Sequence, residues 1–376
     1  MLQLLSTDGQ RLAPAVTLTD DAGPTTDSGL TERLEAYASE LTRSRLEDAY
    51  RHMALTRAFD EQATSLQRQG ELGLWAPSRG QEAAQVGSAL AIPPQDMIFP
   101  AYREHAVAHV RGLDLRALMP VFRGTRHGGW DPAEHNFHLY TFVIGAHTLH
   151  AVGYAQAIQQ GSRPTAVAPD SHAVAVYFGD GATSQGDTSE ALVFAASAQA
   201  PVLFFCQNNQ WAISVPTSTQ SRVPIAQRAD GFGIPRLQVD GNDVIASYAA
   251  TRFAMEQIHA DGGPFFIEAV TYRMGAHTTS DDPTRYRSRE EEEAWAARDP
   301  LLRLRTHLDS EGTDPDFFAQ LDAEAEALAR DIRDFVRAEA AGDFPEIFEN
   351  VYATRNLQVD ADRAAWDAYT AREVQP

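Results

Sequence analysis

Ala173-Val174-Ala175-Val176-Tyr177-Phe178-Gly179-Asp180-Gly181-Ala182-Thr183 is the stretch on which the reading of this chain turns. Its first six residues form a short, nearly unbroken apolar run, the pattern of a strand buried on both faces. A glycine-rich turn follows, and then a helical stretch from about Asp187 to Ala198. The rhythm repeats downstream. Residues Val202 to Cys206 read as the next strand and are followed by polar Gln207-Asn208-Asn209. Leu237 to Val239, a helix near Val244 to His259 and a strand from Phe265 to Val270 continue it. Alternation of this kind predicts an α/β fold, a doubly wound and mostly parallel sheet flanked by helices.

Outward from that centre, apolar residues recur at helical spacing between about Arg43 and Gln69. A second helix is expected from Gly80 to Ile92, stopped by Pro93-Pro94. Residues 1–40 are rich in Thr, Asp, Gly and Ser and are expected to be a flexible arm. Residues 41–310 are expected to form the α/β domain, and 311–376 a helical C-terminal extension. The chain of 376 residues is 43% hydrophobic, enough for a sizeable core, and carries a net charge of −21. That charge disfavours nucleic acid and anionic membranes as partners. The single cysteine, Cys206, sits in an apolar strand, and no signal peptide or long apolar span is evident, so a cytoplasmic location is expected.

Gly179-Asp180-Gly181 and Asn208-Asn209 each lie just past the C-terminal end of an expected strand. Open α/β sheets bind ligands at that edge. Asp180 offers a carboxylate, Asn209 an amide oxygen, and a nearby backbone carbonyl, that of Trp211, completes an oxygen set suited to Mg2+ shared with a phosphate. Gly179 and Gly181 let the backbone come close to phosphate oxygens. The spacing fits neither a Walker A loop nor the dinucleotide G-x-G-x-x-G pattern. Gly-Asp-Gly alone is a common turn; the second strand-end motif gives it weight.

This pairing resembles the thiamine diphosphate signature. From about Leu46 to about Leu308 the chain resembles alpha subunits of the first component of 2-oxo acid dehydrogenase complexes. The resemblance implies thiamine diphosphate and Mg2+ as cofactors, with Asp180, Asn209 and the Trp211 carbonyl on the metal and Gly179, Gly181 and Ala182 along the diphosphate. Tyr102 and Arg103, in Phe99-Pro100-Ala101-Tyr102-Arg103-Glu104-His105, align with a segment that reaches the cofactor. Ile144 aligns with the residue at the cofactor's bend. Gln207 stands where some members have Arg, which puts one phosphate contact in question. His277, in a polar loop after the last strand, aligns with a histidine at the mouth of the cofactor channel. An ordinary imidazole titrates near neutrality, so His277 is expected to move protons. His147, three residues from His150, is a candidate catalytic residue or a core one, and no third ligand makes the pair a metal site. The histidines from His127 to His138 do not have zinc-site spacing.

The glutamate that activates the pyrimidine ring in related enzymes comes from a second, similar domain, for which this chain has no room. The resemblance therefore implies a beta subunit supplying it in a two-alpha, two-beta heterotetramer, and a lipoyl-bearing acyltransferase core as acceptor. Glu82 is the one in-chain rival, read as structural. The substrate is expected to be a 2-oxo acid, with a branched-chain acid favoured over pyruvate. A reading from another class is a Mg2+-dependent phosphohydrolase or nucleotide-binding protein, which needs a second carboxylate beside Asp180. Asp187 is its candidate.

Overall fold

Among the described residues nine strands are defined: β1 (Leu18–Asp20), β2 (Gly23–Thr25), β3 (Met97–Phe99), β4 (Val174–Gly179), β5 (Val202–Asn208), β6 (Trp211–Ala212), β7 (Val215–Pro216), β8 (Arg236–Asp240) and β9 (Phe265–Val270). The computed structural model describes residues 1–15, 18–20, 23–25, 28–126, 128–161, 173–338, 346–349 and 351–373. Seven strands form one sheet in the order β2-β1-β8-β9-β5-β4-β3. From β8 to β3 all neighbours are parallel. β1 runs antiparallel to both β2 and β8. The expected doubly wound α/β architecture is the one observed.

Apolar residues on both faces of β4 and β5 feed two separate layers. Ala175, Tyr177, Leu203 and Phe205 point into one layer, shared with Met53 and Phe59 of helix Arg43–Arg68 and with helices Glu82–Ala91 and Val244–Asp261. Val174, Val176, Phe178, Val202, Phe204 and Cys206 point into the other, under helices Ala146–Gln159 and Gly186–Ala198. Strand side chains alternate faces, so an unbroken apolar run requires a cover on each side. Each fully buried large side chain contributes roughly 1.5–3 kcal/mol. Among the described residues no helix is long and apolar enough to cross a membrane.

The beginning of the expected arm is anchored. Leu2, Leu4 and Leu5 are buried in the main core, and Leu2 bridges to Val239 of β8. The amides of Leu4 and Leu5 donate to Asp243 Oδ2 at 2.7 and 2.6 Å, while Asp243 Oδ1 caps helix Val244–Asp261 through Ile245 and Ala246. The expectation of a flexible arm over 1–40 is thus corrected for residues 1–15 and for helix Ser28–Glu40, whose Leu30 and Leu34 are buried. Polar composition hid the few leucines that do the anchoring. At the other end, helix Pro315–Ala338 lies on helix Arg43–Arg68, with Phe318 edge-on to Tyr50 at 5.5 Å and Ile332 and Val336 fully buried. The start of the 311–376 segment is therefore built into the main core.

Candidate active site

β4 and β5 are in register with Gly179 opposite Gln207, so the two following loops leave the sheet side by side. The first is a single tight turn, Asp180–Ser184, before helix Gly186–Ala198. A Cβ on Gly181 would lie 2.9 Å from the Ala212 side chain, so only glycine lets the loops approach this closely. Asp180 is buried, and loss of hydration pushes its carboxyl pKa upward. Gln220 Nε2 donates to its Oδ2 at 2.9 Å. Thr217 Oγ1 lies within hydrogen-bonding distance of both Asp180 Oδ2 (3.3 Å) and Asn208 Oδ1 (3.0 Å), which ties the two loops together. Asn209 is oriented by Gln81 Oε1, which accepts from its Nδ2 at 3.3 Å.

The opposite wall comes from the segment after β3 and from the turn preceding helix Glu82–Ala91. Asp60, buried on helix Arg43–Arg68, accepts from Trp75 Nε1 and from the amides of Ser78 and Arg79 (2.5, 2.9 and 2.9 Å), which fixes that turn. The turn's Pro77 carbonyl in turn receives Arg103 Nη1. Arg103 Nη2 donates to the His277 carbonyl at 2.9 Å. Gln85 Nε2 bridges the Arg103 carbonyl and Gln207 Oε1 (2.9 and 3.0 Å), and Gln207 Nε2 donates to Glu104 Oε1 at 2.6 Å. The His277 loop is pinned from several sides. Thr279 and Trp75 exchange two hydrogen bonds, and the His277 amide donates to Asp281 Oδ2 at 2.8 Å. Arg287 lies against the rings of Trp211, Tyr272 and Tyr286.

These walls enclose a cavity of about 310 Å³ at the C-terminal edge of the parallel strands. Every candidate site residue lines it: Tyr102, Arg103, Ile144, His147, Gly179, Asp180, Gly181, Ala182, Gln207, Asn209, Trp211 and His277. They come from five segments far apart in sequence, and Gln81 brings a sixth to the cavity. Gln81, Glu104 and Phe142 also line it and were not singled out as site residues from sequence; Arg273, expected to order the His277 loop, lines it as well. Glu104 stands within Tyr102-Arg103-Glu104-His105, yet nothing local marks a glutamate as buried. Glu82 is absent from the wall; its carboxylate is taken by Arg57 Nε and the Gly80 amide, both at 2.8 Å. Asp187 is exposed and also off the wall, which leaves the phosphohydrolase reading without its second carboxylate.

One expectation is corrected. His277 does not titrate near neutrality here: burial first, then the guanidinium groups of Arg103 and Arg273, depress its pKa to about 3. Its Nδ1 faces Arg103 Nη2 at 3.4 Å and Arg273 Nη1 at 3.3 Å, which makes Nδ1 the acceptor and places the proton on Nε2. His147 is likewise held neutral, at about 4, chiefly by burial. Its Nε2 donates to the Tyr177 carbonyl at 2.7 Å, leaving Nδ1 buried without a partner among the described residues. His150 is exposed, so the two histidines do not converge. His127 lies outside the described residues. We expect nitrogen-15 spectra of the ligand-free protein to show neutral rings for His147 and His277 from pH 8 to pH 5; a midpoint above pH 6 for His277 would reinstate it as a proton carrier.

Among the described residues no three His, Cys, Asp or Glu side chains come together. A cation here needs the mixed oxygen set of one carboxylate, one amide and one carbonyl, which suits a hard ion sharing its shell with phosphate. Asp180 fits, since both its hydrogen bonds fall on Oδ2. The Trp211 carbonyl already accepts from Arg273 Nη1 at 2.7 Å, so a metal would use its second lone pair. Gln81 Nε2 and Arg273 Nε are buried at the wall without partners among the described residues, as expected of a site shaped for a polar ligand.

A parallel sheet with such a cavity at its strand ends defines a cofactor-binding α/β enzyme chain. The chain belongs to the dehydrogenase E1 component family, matched over residues 50–341, a family that depends on thiamine diphosphate. It is 43% identical over 371 residues to the 3-methyl-2-oxobutanoate dehydrogenase subunit alpha of Mycobacterium tuberculosis, covering 98% of this chain and 96% of that one. It is 38% identical over 333 residues to the pyruvate dehydrogenase E1 component subunit alpha of Acholeplasma laidlawii, covering 86% and 93%. The Staphylococcus aureus counterpart is 41% identical over 281 residues, 74% of each chain.

Proposed function

We propose that this chain is the alpha subunit of a cytoplasmic branched-chain 2-oxo acid dehydrogenase acting on 3-methyl-2-oxobutanoate. Its beta subunit completes the site in a two-alpha, two-beta assembly, and a lipoyl group on an acyltransferase core accepts the acyl product. The observation that carries this reading is the convergence of six separate segments on one cavity at the strand ends. Asp180, Asn209 and the Trp211 carbonyl hold Mg2+. The backbone of Gly179, Gly181 and Ala182, with Arg103 and Tyr102, takes the diphosphate, and Gln207 contributes an amide where a cation is absent. Thiamine diphosphate, when bound, supplies the carbon nucleophile and electron sink that decarboxylation of a 2-oxo acid requires. Ile144 supports the bend of the cofactor, His277 offers its Nε2–H as a donor at the mouth, and His147 offers Nδ1 as an acceptor. The catalytic fold occupies residues 41–310, and 311–376 extends it.

The branched-chain reading over pyruvate is supported by the apolar lip of the cavity. Phe142, stacked on Tyr102 at 5.5 Å, and Ile144 and Ile213 are exposed there. Such a lip favours an aliphatic tail over a methyl group by transfer free energy alone, at about 0.8 kcal/mol per buried methylene. The test is reductive acylation by the complex of this chain with its beta partner. We expect kcat/KM for 3-methyl-2-oxobutanoate to exceed that for pyruvate by roughly tenfold, from two added methylene equivalents. Preference for pyruvate would move the assignment to pyruvate dehydrogenase.

A further inference from the structure

We propose that Glu104 takes up a proton from solvent when a diphosphate enters the cavity, so that cofactor binding and protonation of this chain are linked. The inference rests on the thiamine diphosphate reading above. Glu104 lines the cavity between Arg103 and Gln207 and is 1% exposed. Among the described residues its carboxylate receives neutral amide donors: Gln207 Nε2 on Oε1, the Arg103 amide on Oε2 at 3.1 Å, and its own backbone amide. The Arg103 guanidinium, its neighbour in sequence, is turned away to the Pro77 and His277 carbonyls. Among the described residues no ion pair reaches Glu104.

The remaining groups facing it do not neutralise it. From other elements come the phenol groups of Tyr140 and Tyr177, both buried, un-ionised and held so in part by Glu104 itself, and the neutral amide of Gln85 behind Gln207. Arg273 and the neutral His277 also line the cavity. A buried carboxylate with amide donors and no cation keeps its proton to higher pH than usual. Burial leads here, with the Arg103 amide, the Arg103 charge and Gln207 opposing, and the result is a pKa of about 7. With Mg2+ held at the facing wall by Asp180, Asn209 and the Trp211 carbonyl, a diphosphate beside Arg103 adds negative charge next to Glu104. It favours the protonated acid, which then donates its O–H toward a phosphate oxygen instead of repelling it.

The sign follows by linkage. The free protein holds Glu104 about half protonated at pH 7, and the bound one holds it protonated to higher pH. Uptake is then about nine-tenths of a proton at pH 8 and about a tenth at pH 6, and affinity falls toward tenfold per pH unit above 7. The experiment is calorimetric titration of thiamine diphosphate with saturating Mg2+ into the complex of this chain and its beta partner, in two buffers of different protonation enthalpy. Wild type and Glu104→Gln are compared, so that protons lost by the ligand cancel in the difference. The expected result is a difference near nine-tenths of a proton at pH 8, preserved in His277→Asn. Equal uptake in wild type and Glu104→Gln overturns the inference, as does its loss in His277→Asn. Should Glu104→Gln not fold, difference infrared spectra of the wild type decide: a carboxylic acid band gained on binding supports the proposal, and none refutes it. Binding without uptake overturns this inference alone, whereas no binding by the wild type overturns the cofactor reading and takes this one with it.

Discussion

Asp180→Ala is expected to lower the affinity of the alpha–beta complex for thiamine diphosphate by at least about 100-fold in the presence of Mg2+, roughly 3 kcal/mol. Asp180 is the one carboxylate among the proposed metal ligands, it is buried, and its two hydrogen bonds both fall on Oδ2. Without it, the Asn209 amide and the Trp211 carbonyl must hold a dication by dipoles alone, with the Arg273 guanidinium already on that carbonyl. The same substitution removes a carboxyl whose ionised form is disfavoured by burial, so the fold is expected to survive it. Titration of cofactor binding against Mg2+ makes the check specific. The wild type should lose the same 100-fold on chelation, and Asp180→Ala should no longer respond to the metal. Unchanged affinity, or a full Mg2+ response in the variant, would remove Asp180 from the metal and weaken the function built on it.

Glu82→Ala is expected to cost about 3–5 kcal/mol of stability. Glu82 has no exposed side-chain surface and receives Arg57 Nε and the Gly80 amide. Arg57, with its guanidinium shared between Glu82 and Asp299 (2.8 and 2.6 Å), is held strongly charged. Truncation leaves a buried cation with half its partners and an amide with none, which is costlier than an apolar replacement of the whole pair. Gly80 compounds it: at φ +97 it faces the Tyr272 carbonyl so closely that a Cβ would sit 2.1 Å away, and the turn has no room to relax. Chemical denaturation of the complex measures the loss, and Arg57→Met with Glu82→Leu and Asp299→Asn, which removes the whole charged group, should recover a large part of it. A loss under 1 kcal/mol for Glu82→Ala would show that Asp299 alone satisfies Arg57.

Much of the fold was legible because strand and helix periods are local. The bounds of β4, β5, β8 and β9 fall within two residues of those expected. The anchoring of residues 1–15 was not legible, because it depends on Asp243, more than two hundred residues away, which accepts the Leu4 and Leu5 amides while capping a helix. At the site, the candidates with a distinctive residue type at a strand end were found. Gln81, Glu104 and Phe142 were not, since none differs locally from a surface residue of its kind.

His277 shows the division most sharply. Its place in a polar loop after the last strand, and its identity as an imidazole, belong to the sequence alone. Its charge does not. Burial of the ring leads in fixing it neutral, and Arg103, arriving from the segment after β3, with Arg273, arriving from beyond the end of β9, adds to this and places the proton on Nε2. Residue order determines which groups a chain carries and at which strand ends they emerge, because backbone periodicity is a short-range property. Which of those groups share a low-dielectric cavity, and hence which are ionised, is decided by long-range packing, because electrostatic energies depend on distances and hydration that no local stretch of chain contains.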